Sequence, residues 1–392
     1  MSNNKLNIAT VLVFAVLIFG FAIGFLVLPD QSFSQQENRS LRTLPELTPQ
    51  KLFSGVYGDE INDYFADQFP MRDALVGLKG ICENGLLKGE NNGILLGNGG
   101  QLAQRLFDVK RADGSTVADS DAFDADNIRA AGEGLTRVSE QIGVPLTVLL
   151  TGRTIDVAAS AFDYPTDGSD ALLLKMRESI GASVNYVETV PTFREKYEAG
   201  EYVYFKTDHH WTTLGAYYAY VEVMRSFGME DEVIPMESFA REVVTEAFYG
   251  TAWSAGGMKF VSPDSMELWL LGNEDEFTVM ADGRQLDGLY NRDYLAKKDK
   301  YSTFLDGTHD VVTVTRTTGE DRPTLLLLKD SFANALAPFL AQHFDLVLLN
   351  LSSTRTDFTD LCARTEEYGA DRALIVYTLE NVITGNKLSR LR

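Results

Sequence analysis

The hydrophobic pattern begins with an unbroken apolar segment. Residues 8–28 contain no charged side chain, and a helix of about 20 apolar residues is long enough to cross a bilayer. Lys5 precedes this segment and Asp30 follows it, which favours an N-terminus inside the cell. We therefore predict a single-pass membrane anchor over residues 1–28, with the bulk of the chain extracytoplasmic. A cleaved signal peptide is the alternative, although its apolar region is normally only about 7–15 residues long.

The pattern changes twice before the main domain. Polar residues and proline dominate residues 29–50, which we interpret as a tether. In the section 51–124, apolar residues at helical spacing on either side of Pro70 predict two short helices. Ile94-Leu95-Leu96, flanked by Asn- and Gly-rich turns, predicts a hairpin.

From residue 125 onward, helical and strand patterns alternate. A helical stretch to Ile142 precedes an apolar run at 145–150 and a second helical stretch at 172–180. Toward the end of the chain, the apolar runs 324–328, 346–349 and 373–377 accompany a helical stretch at 332–341. This alternation is typical of a parallel α/β sheet. We predict an α/β domain over 125–392, with a strand-rich insertion at about 231–321 that could wall a cleft.

The composition limits the kinds of partner that this chain can bind. The chain has 392 residues and a formal net charge of −21, which argues against a nucleic-acid partner because phosphate binding needs clustered Lys and Arg. Cys82 and Cys362 are the only cysteines. They could pair outside the cell or remain as two free thiols.

Two of the four histidines lie together, in the stretch Asp208-His209-His210. If this segment is extended, Asp208 and His210 point to the same side, and a carboxylate beside an imidazole fixes its tautomer and stabilises its protonated form. Alternatively, Asp208 caps the helix that begins near Thr213.

Ser331 is the candidate nucleophile. It follows the apolar run 325–328 and precedes a predicted helix, so it would stand at the carboxyl edge of the sheet, where open α/β sheets bind ligands. A helix N-terminus there would also stabilise a developing oxyanion. The alternative is a serine that only caps the helix. Together, Asp208, His210 and Ser331 could form a Ser-His-Asp triad.

Other side chains could line a cleft for a sugar or an acyl group, although residues of these kinds more often serve packing or turns. They are Arg153, Tyr249-Gly250-Thr251, Trp253 and Asn334. The predicted substrate-binding residues are Arg153, His209, Trp211, Tyr249 and Asn334. A metal site at Asp208-His209-His210 would need further ligand clusters, and His309 and His343 stand alone. We predict neither a metal nor a cofactor.

Several ordered stretches resemble the DHHW protein family, which is similar to the alginate O-acetylation proteins of the SGNH-hydrolase-like superfamily. The matching stretches are Glu37-Asn38-Arg39, residues 65–73 (FADQFPMRD), 92–97 (NGILLG), 207–218 (TDHHWTTLGAYY), Tyr249-Gly250-Thr251, 298–307 (KDKYSTFLDG) and 329–334 (KDSFAN).

The resemblance implies a circularly permuted SGNH-like three-layer α/β/α fold, in which Asp208 and His210 precede the nucleophile Ser331. It also implies O-acetylation of an exported or cell-wall polysaccharide, with a membrane-bound O-acyltransferase as the acetyl donor. One stretch departs from the family pattern: Asp-x-Arg-Tyr is expected after the strand that follows the serine helix, whereas this chain has Asn350-Leu351-Ser352-Ser353, with Arg355 later. The stretch therefore lacks the arginine that usually lines the cleft at this point of the family pattern.

Three functions fit these observations. The first is an O-acetyltransferase that uses the triad. The second is a carbohydrate esterase or deacetylase at the same site, with water in place of the sugar hydroxyl. The third is a catalytically silent glycan-binding protein of the cell envelope, which the missing Asp-x-Arg-Tyr motif favours.

Overall fold

The computed structural model of the chain describes residues 3–34, 39–105, 109–110, 116–117, 125–164, 167–318, 321–350, 357–384 and 388–391. The chain divides into two compact units, Met1–Asn92 with Ser254–Phe260, and Gly93–Trp253 with Val261–Arg392. The predicted division into anchor, tether, N-terminal section and α/β domain remains a prediction. Cys82 and Cys362 are both free thiols.

The first unit is built mainly from helices. Its elements are α1 (Asn3–Val27), β1 (Phe33–Ser34), β2 (Arg39–Ser40), α2 (Pro49–Ser54), α3 (Val56–Asp67), α4 (Arg72–Gly85) and β3 (Glu90–Asn91). Helix α1 is long and apolar enough over Asn7–Val27 to span a membrane, and none of that stretch is buried. Signal sequences share this length and composition, so the anchor itself stays a prediction.

The polar segment after α1 is held against α3. The amide nitrogen of Gln68 donates hydrogen bonds to the carbonyl oxygens of Gln31 (2.9 Å) and Arg42 (2.7 Å), and the Arg42 N–H donates to Asp67 (2.8 Å). This section forms three helices, whereas two were predicted. Helices α2 and α3 precede Pro70 and α4 follows it, because Gly55 adopts φ 82° and ends α2 before α3 begins.

The second unit carries the α/β domain. Its strands are β4 (Ile94–Leu96), β5 (Leu102–Gln104), β6 (Val109–Lys110), β7 (Thr116–Val117), β8 (Leu146–Thr151), β9 (Asn185–Glu188), β10 (Ala240–Phe248), β11 (Asp264–Leu270), β12 (Phe277–Ala281), β13 (Arg284–Gln285), β14 (Val311–Arg316), β15 (Thr324–Lys329), β16 (Asp345–Asn350) and β17 (Arg372–Thr378). Its helices are α5 (Ala125–Gln141), α6 (Thr154–Val157), α7 (Asp167–Ser179), α8 (Val190–Glu198), α9 (Thr213–Ser226), α10 (Thr251–Gly256, which straddles both units), α11 (Ala333–Leu340), α12 (Phe358–Glu367) and α13 (Leu379–Thr384).

Among the described residues, the main sheet has eight strands in the order β13-β12-β14-β16-β15-β17-β8-β9. Strands β16, β15, β17, β8 and β9 are parallel, as the alternating pattern predicted. The insertion adds β14, β12 and β13 to one edge in antiparallel register. It therefore widens the sheet, while β10 and β11 form a separate pair. The predicted hairpin is confirmed by the pairing of β4 with β5.

Helices cover both faces of this sheet. Leu325 and Leu327 of β15 belong to one hydrophobic cluster, which includes residues of α9 and α11. Leu326 and Leu328 belong to the other, which includes residues of α5, α7 and α12. Because neighbouring side chains of a strand point to opposite faces, one apolar run is buried on both sides. The predicted three-layer α/β/α arrangement is confirmed.

Candidate active site

Ser331 lies in the turn between β15 and α11, at the carboxyl edge of the parallel strands. The side chain of Asp330 fixes this turn. It accepts hydrogen bonds from the backbone N–H of Phe332 (3.0 Å) and from the N–H of Thr378 at the end of β17 (2.7 Å). The turn is thereby tied to the neighbouring strand, and Ser331 remains partly exposed.

The serine does not cap the helix. Phe332 occupies the N-cap position of α11, without a side-chain hydrogen bond to the helix. The Ser331 hydroxyl faces His210 instead, with Oγ 2.7 Å from Nε2. The capping alternative therefore does not describe this residue.

His210 and Asp208 lie at the tip of a tight chain reversal. The N–H of Thr212 donates to the Val203 carbonyl (2.9 Å), and the N–H of Phe205 donates to the His210 carbonyl (3.1 Å). The segment between them bends instead of running extended. The two side chains meet because the His210 N–H donates to Asp208 Oδ1 (3.0 Å), as in an Asx turn.

Asp208 does not cap helix α9, which was the alternative role considered for it. Helix α9 is capped by Thr212, whose hydroxyl oxygen accepts the N–H of Gly215 (3.2 Å). The Asp208 carboxylate instead reaches the imidazole of His210, with Oδ1 2.5 Å from Nδ1.

The three side chains form a continuous hydrogen-bonded line from Asp208 through His210 to Ser331. A carboxylate on Nδ1 requires that nitrogen to carry a proton, which leaves Nε2 to accept the proton of the serine hydroxyl. Asp208 and His210 are buried. In chemical terms, the arrangement can activate a serine for attack on an ester.

A second group of donors holds the far oxygen of Asp208. Oδ2 accepts the backbone N–H of Thr251 (2.8 Å) and the Thr251 hydroxyl (3.1 Å). Burial alone would raise the pKa of Asp208, but His210 and the hydrogen bonds from the His210 ring and the Thr251 N–H hold the pKa of this carboxyl well below its usual range. Asp208 is therefore ionised throughout the physiological range.

Gly250 allows the backbone next to Thr251 to lie close to the Asp208 side chain. A Cβ atom at position 250 would lie 2.2 Å from Asp208 Cβ and 2.5 Å from Asp208 Oδ2. No side chain fits at that distance, so the glycine is needed for close packing against the carboxylate.

Aromatic side chains fix the orientation of the imidazole and of the serine turn. The Tyr301 ring stacks on His210, with ring centroids 3.8 Å apart and planes inclined by 9°. The carbonyl oxygen of Phe332 accepts the indole N–H of Trp211 (3.0 Å) and the hydroxyl of Tyr301 (3.4 Å). Tyr301 and Trp211 therefore connect the histidine side of the site to the serine side.

Beneath the serine turn lies a buried polar group. Lys329, 1% exposed, donates from Nζ to Asn334 Oδ1 (2.7 Å). The Asn334 amide in turn donates to the carbonyl oxygen of Gly307 (3.0 Å). Burial lowers the pKa of Lys329 to about 8. This pair bridges the two ends of the turn that carries Ser331.

The predicted substrate-binding residues occupy different environments. Trp211 and Asn334 are buried, so they support the site from within and offer no surface to a ligand. Arg153 follows β8 and is paired with Asp156 (Nη2 to Oδ1 2.6 Å). Tyr249 is half-buried and packs on Trp253, with ring centroids 4.5 Å apart.

His209 is partly open to solvent. Its side chain is 43% exposed, and its ring lies on that of His210 with centroids 3.9 Å apart. Its Nδ1 lies 2.6 Å from the hydroxyl oxygen of Thr251. Burial of part of the ring and the neighbouring His210 lower the pKa of His209.

Sequence reasoning missed four residues of this site. All four, Thr251, Tyr301, Lys329 and Asp330, lie in the stretches that resemble the DHHW family. Thr251 was considered only as a residue that could line a cleft, and no role was predicted for the other three. The placement of Thr251 depends on its contact with Asp208, which lies 43 positions away. The clustering of Thr251 with a glycine and an aromatic residue was the only local signal. Leu351, Ser352, Ser353 and Arg355 lie outside the described residues.

By distance alone, Asp208, His209 and His210 could also hold a metal ion, since their ligand atoms lie within 4.8 Å of one another. Among the residues the structure describes, no further histidine, cysteine or carboxylate joins this group. Both Nδ1 atoms are already hydrogen-bonded. Three protein ligands would match a catalytic zinc site, but His210 Nε2 is also engaged, with the Ser331 hydroxyl.

Comparison with known proteins agrees with this fold. A family model described as DHHW protein matches residues 171–350, which include Asp208, His210 and Ser331. No curated protein sequence matches the chain.

Solved structures extend the comparison beyond the matched region. A DHHW family protein from Eubacterium siraeum is 18% identical with a TM-score of 0.58, covering 76% of this chain and 95% of that one. Bacillus cereus PatB1 with a sulfonyl adduct is 18% identical with a TM-score of 0.57, covering 75% and 96%. The O-acetyltransferase domain of Pseudomonas putida AlgJ, at 12% identity, a TM-score of 0.46, and coverage of 76% and 99%, is too distant to add to this comparison.

In chain order, Asp208 and His210 precede Ser331, which is the order that the family resemblance led us to expect. The match of the family model covers the candidate triad, and the structural likeness covers three quarters of the chain. The resemblance of this chain to the DHHW protein family is confirmed.

Proposed function

We propose that this protein is a serine-dependent O-acetyltransferase that acts outside the cytoplasmic membrane on an exported or cell-wall polysaccharide. The observation that carries the proposal is the unbroken line of hydrogen bonds at the carboxyl edge of the sheet. Its two distances are 2.5 Å from Asp208 to His210 and 2.7 Å from His210 to Ser331. Such a line serves acyl transfer in unrelated folds.

In the first half of the reaction, Ser331 Oγ attacks the carbonyl carbon of an acetyl donor while His210 Nε2 takes the serine proton. Asp208 stabilises the imidazolium that forms. The bond from the carbonyl carbon to the donor oxygen then breaks, and His210 protonates the departing oxygen. An acetyl ester of Ser331 remains.

In the second half, a sugar hydroxyl attacks this ester and gives its proton to His210. The bond to Ser331 Oγ breaks, and the proton passes from His210 back to the serine. The backbone N–H of Ser331, beside the N-terminal end of α11, would hold the developing oxyanion. If water attacks instead of the sugar, the same site acts as an esterase.

The proposed substrate and partner come from the family resemblance and from the surroundings of the site. The family resemblance motivates a polysaccharide acceptor and a membrane-bound O-acyltransferase as acetyl donor. The half-buried pair Tyr249 and Trp253, next to Thr251, would offer a sugar an aromatic surface. Helix α1, long and apolar enough to span a membrane, would hold the domain on the outer side.

The direct test is hydrolysis of para-nitrophenyl acetate by the full chain in detergent. Ser331→Ala and His210→Ala should each lower the rate by at least about 10³-fold. Ser238→Ala, at an exposed serine, serves as the matched control and should keep the rate. Equal rates in all four proteins would contradict the proposal.

A sulfonyl fluoride reagent provides a second test, because PatB1, whose fold this chain shares, has been solved with a sulfonyl adduct. One sulfonyl group should attach to the wild-type chain and none to Ser331→Ala. An oligosaccharide acceptor then separates the two reactions of the site: gain of acetyl ester supports transfer, and loss of existing acetyl ester supports the esterase.

A further inference from the structure

The carboxylate of Asp208 determines the direction of the hydrogen bonds around it. Being ionised, it can only accept hydrogen bonds. Its Oδ2 lies 3.1 Å from the hydroxyl oxygen of Thr251, and two oxygens at this distance repel each other unless a proton lies between them. The Thr251 hydroxyl proton therefore points to Asp208.

This direction fixes the tautomer of His209. The Thr251 hydroxyl has a single proton, so toward His209 Nδ1, at 2.6 Å, its oxygen must accept. Nδ1 then carries the ring proton, and Nε2 has a free lone pair. The lowered pKa of His209 agrees with a neutral ring.

The His209 ring lies next to the imidazole that activates the serine. The His209 ring lies 3.9 Å from that of His210, centroid to centroid, and His210 Nε2 is 2.7 Å from Ser331 Oγ. With the side chain 43% exposed, no group of the described residues bonds His209 Nε2. A hydrogen-bond acceptor with no partner among the described residues therefore lies one ring away from the imidazole that activates Ser331.

We infer that His209 Nε2 accepts a hydrogen bond from a second hydroxyl of the acceptor, next to the hydroxyl that attacks the Ser331 ester. This inference rests on the proposed function and specifies its acceptor. The site would prefer molecules with neighbouring hydroxyls, such as sugars and other polyols, over simple alcohols. Thr251 acts as the positioning residue that holds the His209 tautomer.

The test is a competition between 1,2-propanediol and 1-propanol for the acetyl group of para-nitrophenyl acetate, in one mixture with the full chain. The ratio of the two acetate esters is measured, so any change in total turnover cancels. We expect the wild type to favour the diol by about fivefold to tenfold, as for one hydrogen bond. His209→Asn, which keeps a polar atom only near the Nδ1 position, should bring the ratio close to one.

His209→Gln is the matched variant, because its longer side chain brings an amide oxygen to the Nε2 position. It should keep most of the preference for the diol. A ratio near one in the wild type, or an unchanged ratio in His209→Asn, would overturn the inference even if hydrolysis proceeds. If the wild type shows no hydrolysis of para-nitrophenyl acetate at all, the result would count against the proposed function itself.

Nitrogen NMR of the imidazoles tests the tautomer of His209 directly. The wild-type chain should show His209 protonated at Nδ1 and bare at Nε2. Thr251→Val, which cannot accept the hydrogen bond, should shift the ring toward the usual Nε2-protonated tautomer and lower the diol ratio. A wild-type His209 protonated at Nε2 would contradict the inference directly.

Discussion

Ser331 Oγ lies 2.7 Å from His210 Nε2, although 121 positions separate the two residues in the chain. The serine stands where β15 ends, and the histidine lies at the tip of a chain reversal that precedes α9. The sheet brings the serine to its edge, and Trp211 and Tyr301 hold the two segments together through the Phe332 carbonyl. The site is thus a product of tertiary packing and not of any single motif.

Removing the charge of Asp208 should abolish most of the esterase activity without unfolding the protein. In Asp208→Asn, the amide keeps the shape of the side chain but can no longer hold His210 in the tautomer that accepts the serine proton. We expect kcat for ester hydrolysis to fall by about 10³–10⁴-fold, with a thermal unfolding midpoint near that of the wild type. A variant that keeps a tenth or more of the wild-type kcat would show that Asp208 is not needed to orient His210.

The flat contact between Tyr301 and His210 should contribute to catalysis through the ring and not through the hydroxyl. Tyr301→Phe keeps the stack and loses one long hydrogen bond of 3.4 Å, so kcat should change less than about threefold. Tyr301→Leu fills part of the space but cannot stack, and kcat should fall by about tenfold. Equal kcat values in the two variants would refute this distinction between ring and hydroxyl.

Gly250 should not tolerate a methyl group. In Gly250→Ala the new Cβ would overlap Asp208, so we expect a loss of about 1–3 kcal/mol in the free energy of unfolding and a large loss of esterase rate. Gly58→Ala, at a helical glycine with open space around it, is the control. It should gain about 0.5–1 kcal/mol and keep its rate. Urea unfolding and ester hydrolysis measure both quantities, and wild-type behaviour of Gly250→Ala would contradict the close packing.

The fold was largely predictable from local patterns, and the site only in part. The apolar runs that became β8, β15, β16 and β17 are buried on both faces, which makes such strands conspicuous in sequence. That the insertion would extend the same sheet through β14 could not be predicted, because strand order depends on pairing between distant segments. Ser331 stood out because a buried strand ends beside it.

The pairing of Asp208 with His210 was predicted for the wrong geometric reason. Extended backbone would place both on one side, but the segment bends and an Asx-type hydrogen bond joins them. The contacts of Thr251 with Asp208 and of Tyr301 with His210 lay beyond local reasoning, since each joins segments far apart in the chain. The bond from Lys329 to Asn334 spans only five positions, but the burial of both side chains depends on the tertiary fold. No spacing rule encodes such contacts.

Lys329 should leave a signature in the pH dependence of stability. Burial lowers its pKa to about 8 in the folded chain, from an ordinary value of 10.5. Above pH 8 the unfolded chain therefore binds more protons at this residue than the folded chain, and the free energy of unfolding should rise with pH. From pH 8 to pH 9.5, an interval of about 1.5 units, Lys329 should raise the free energy of unfolding by at most about 2 kcal/mol.

Lys329→Met isolates this contribution, since methionine has a similar length and does not titrate. Urea unfolding of both proteins at pH 8 and at pH 9.5 gives the two slopes. The wild-type free energy should increase more over this interval than that of the variant. Parallel changes in the two proteins would mean that Lys329 keeps its ordinary pKa in the folded chain.

The covalent intermediate tests the central claim most directly. The full chain is mixed with para-nitrophenyl acetate, quenched in acid within the first turnover, digested, and analysed by mass spectrometry. We predict a single acetyl group on the peptide that contains Ser331, present in the wild type and absent in Ser331→Ala. An acetyl group at another residue, or its retention in Ser331→Ala, would contradict the assignment of Ser331 as the nucleophile.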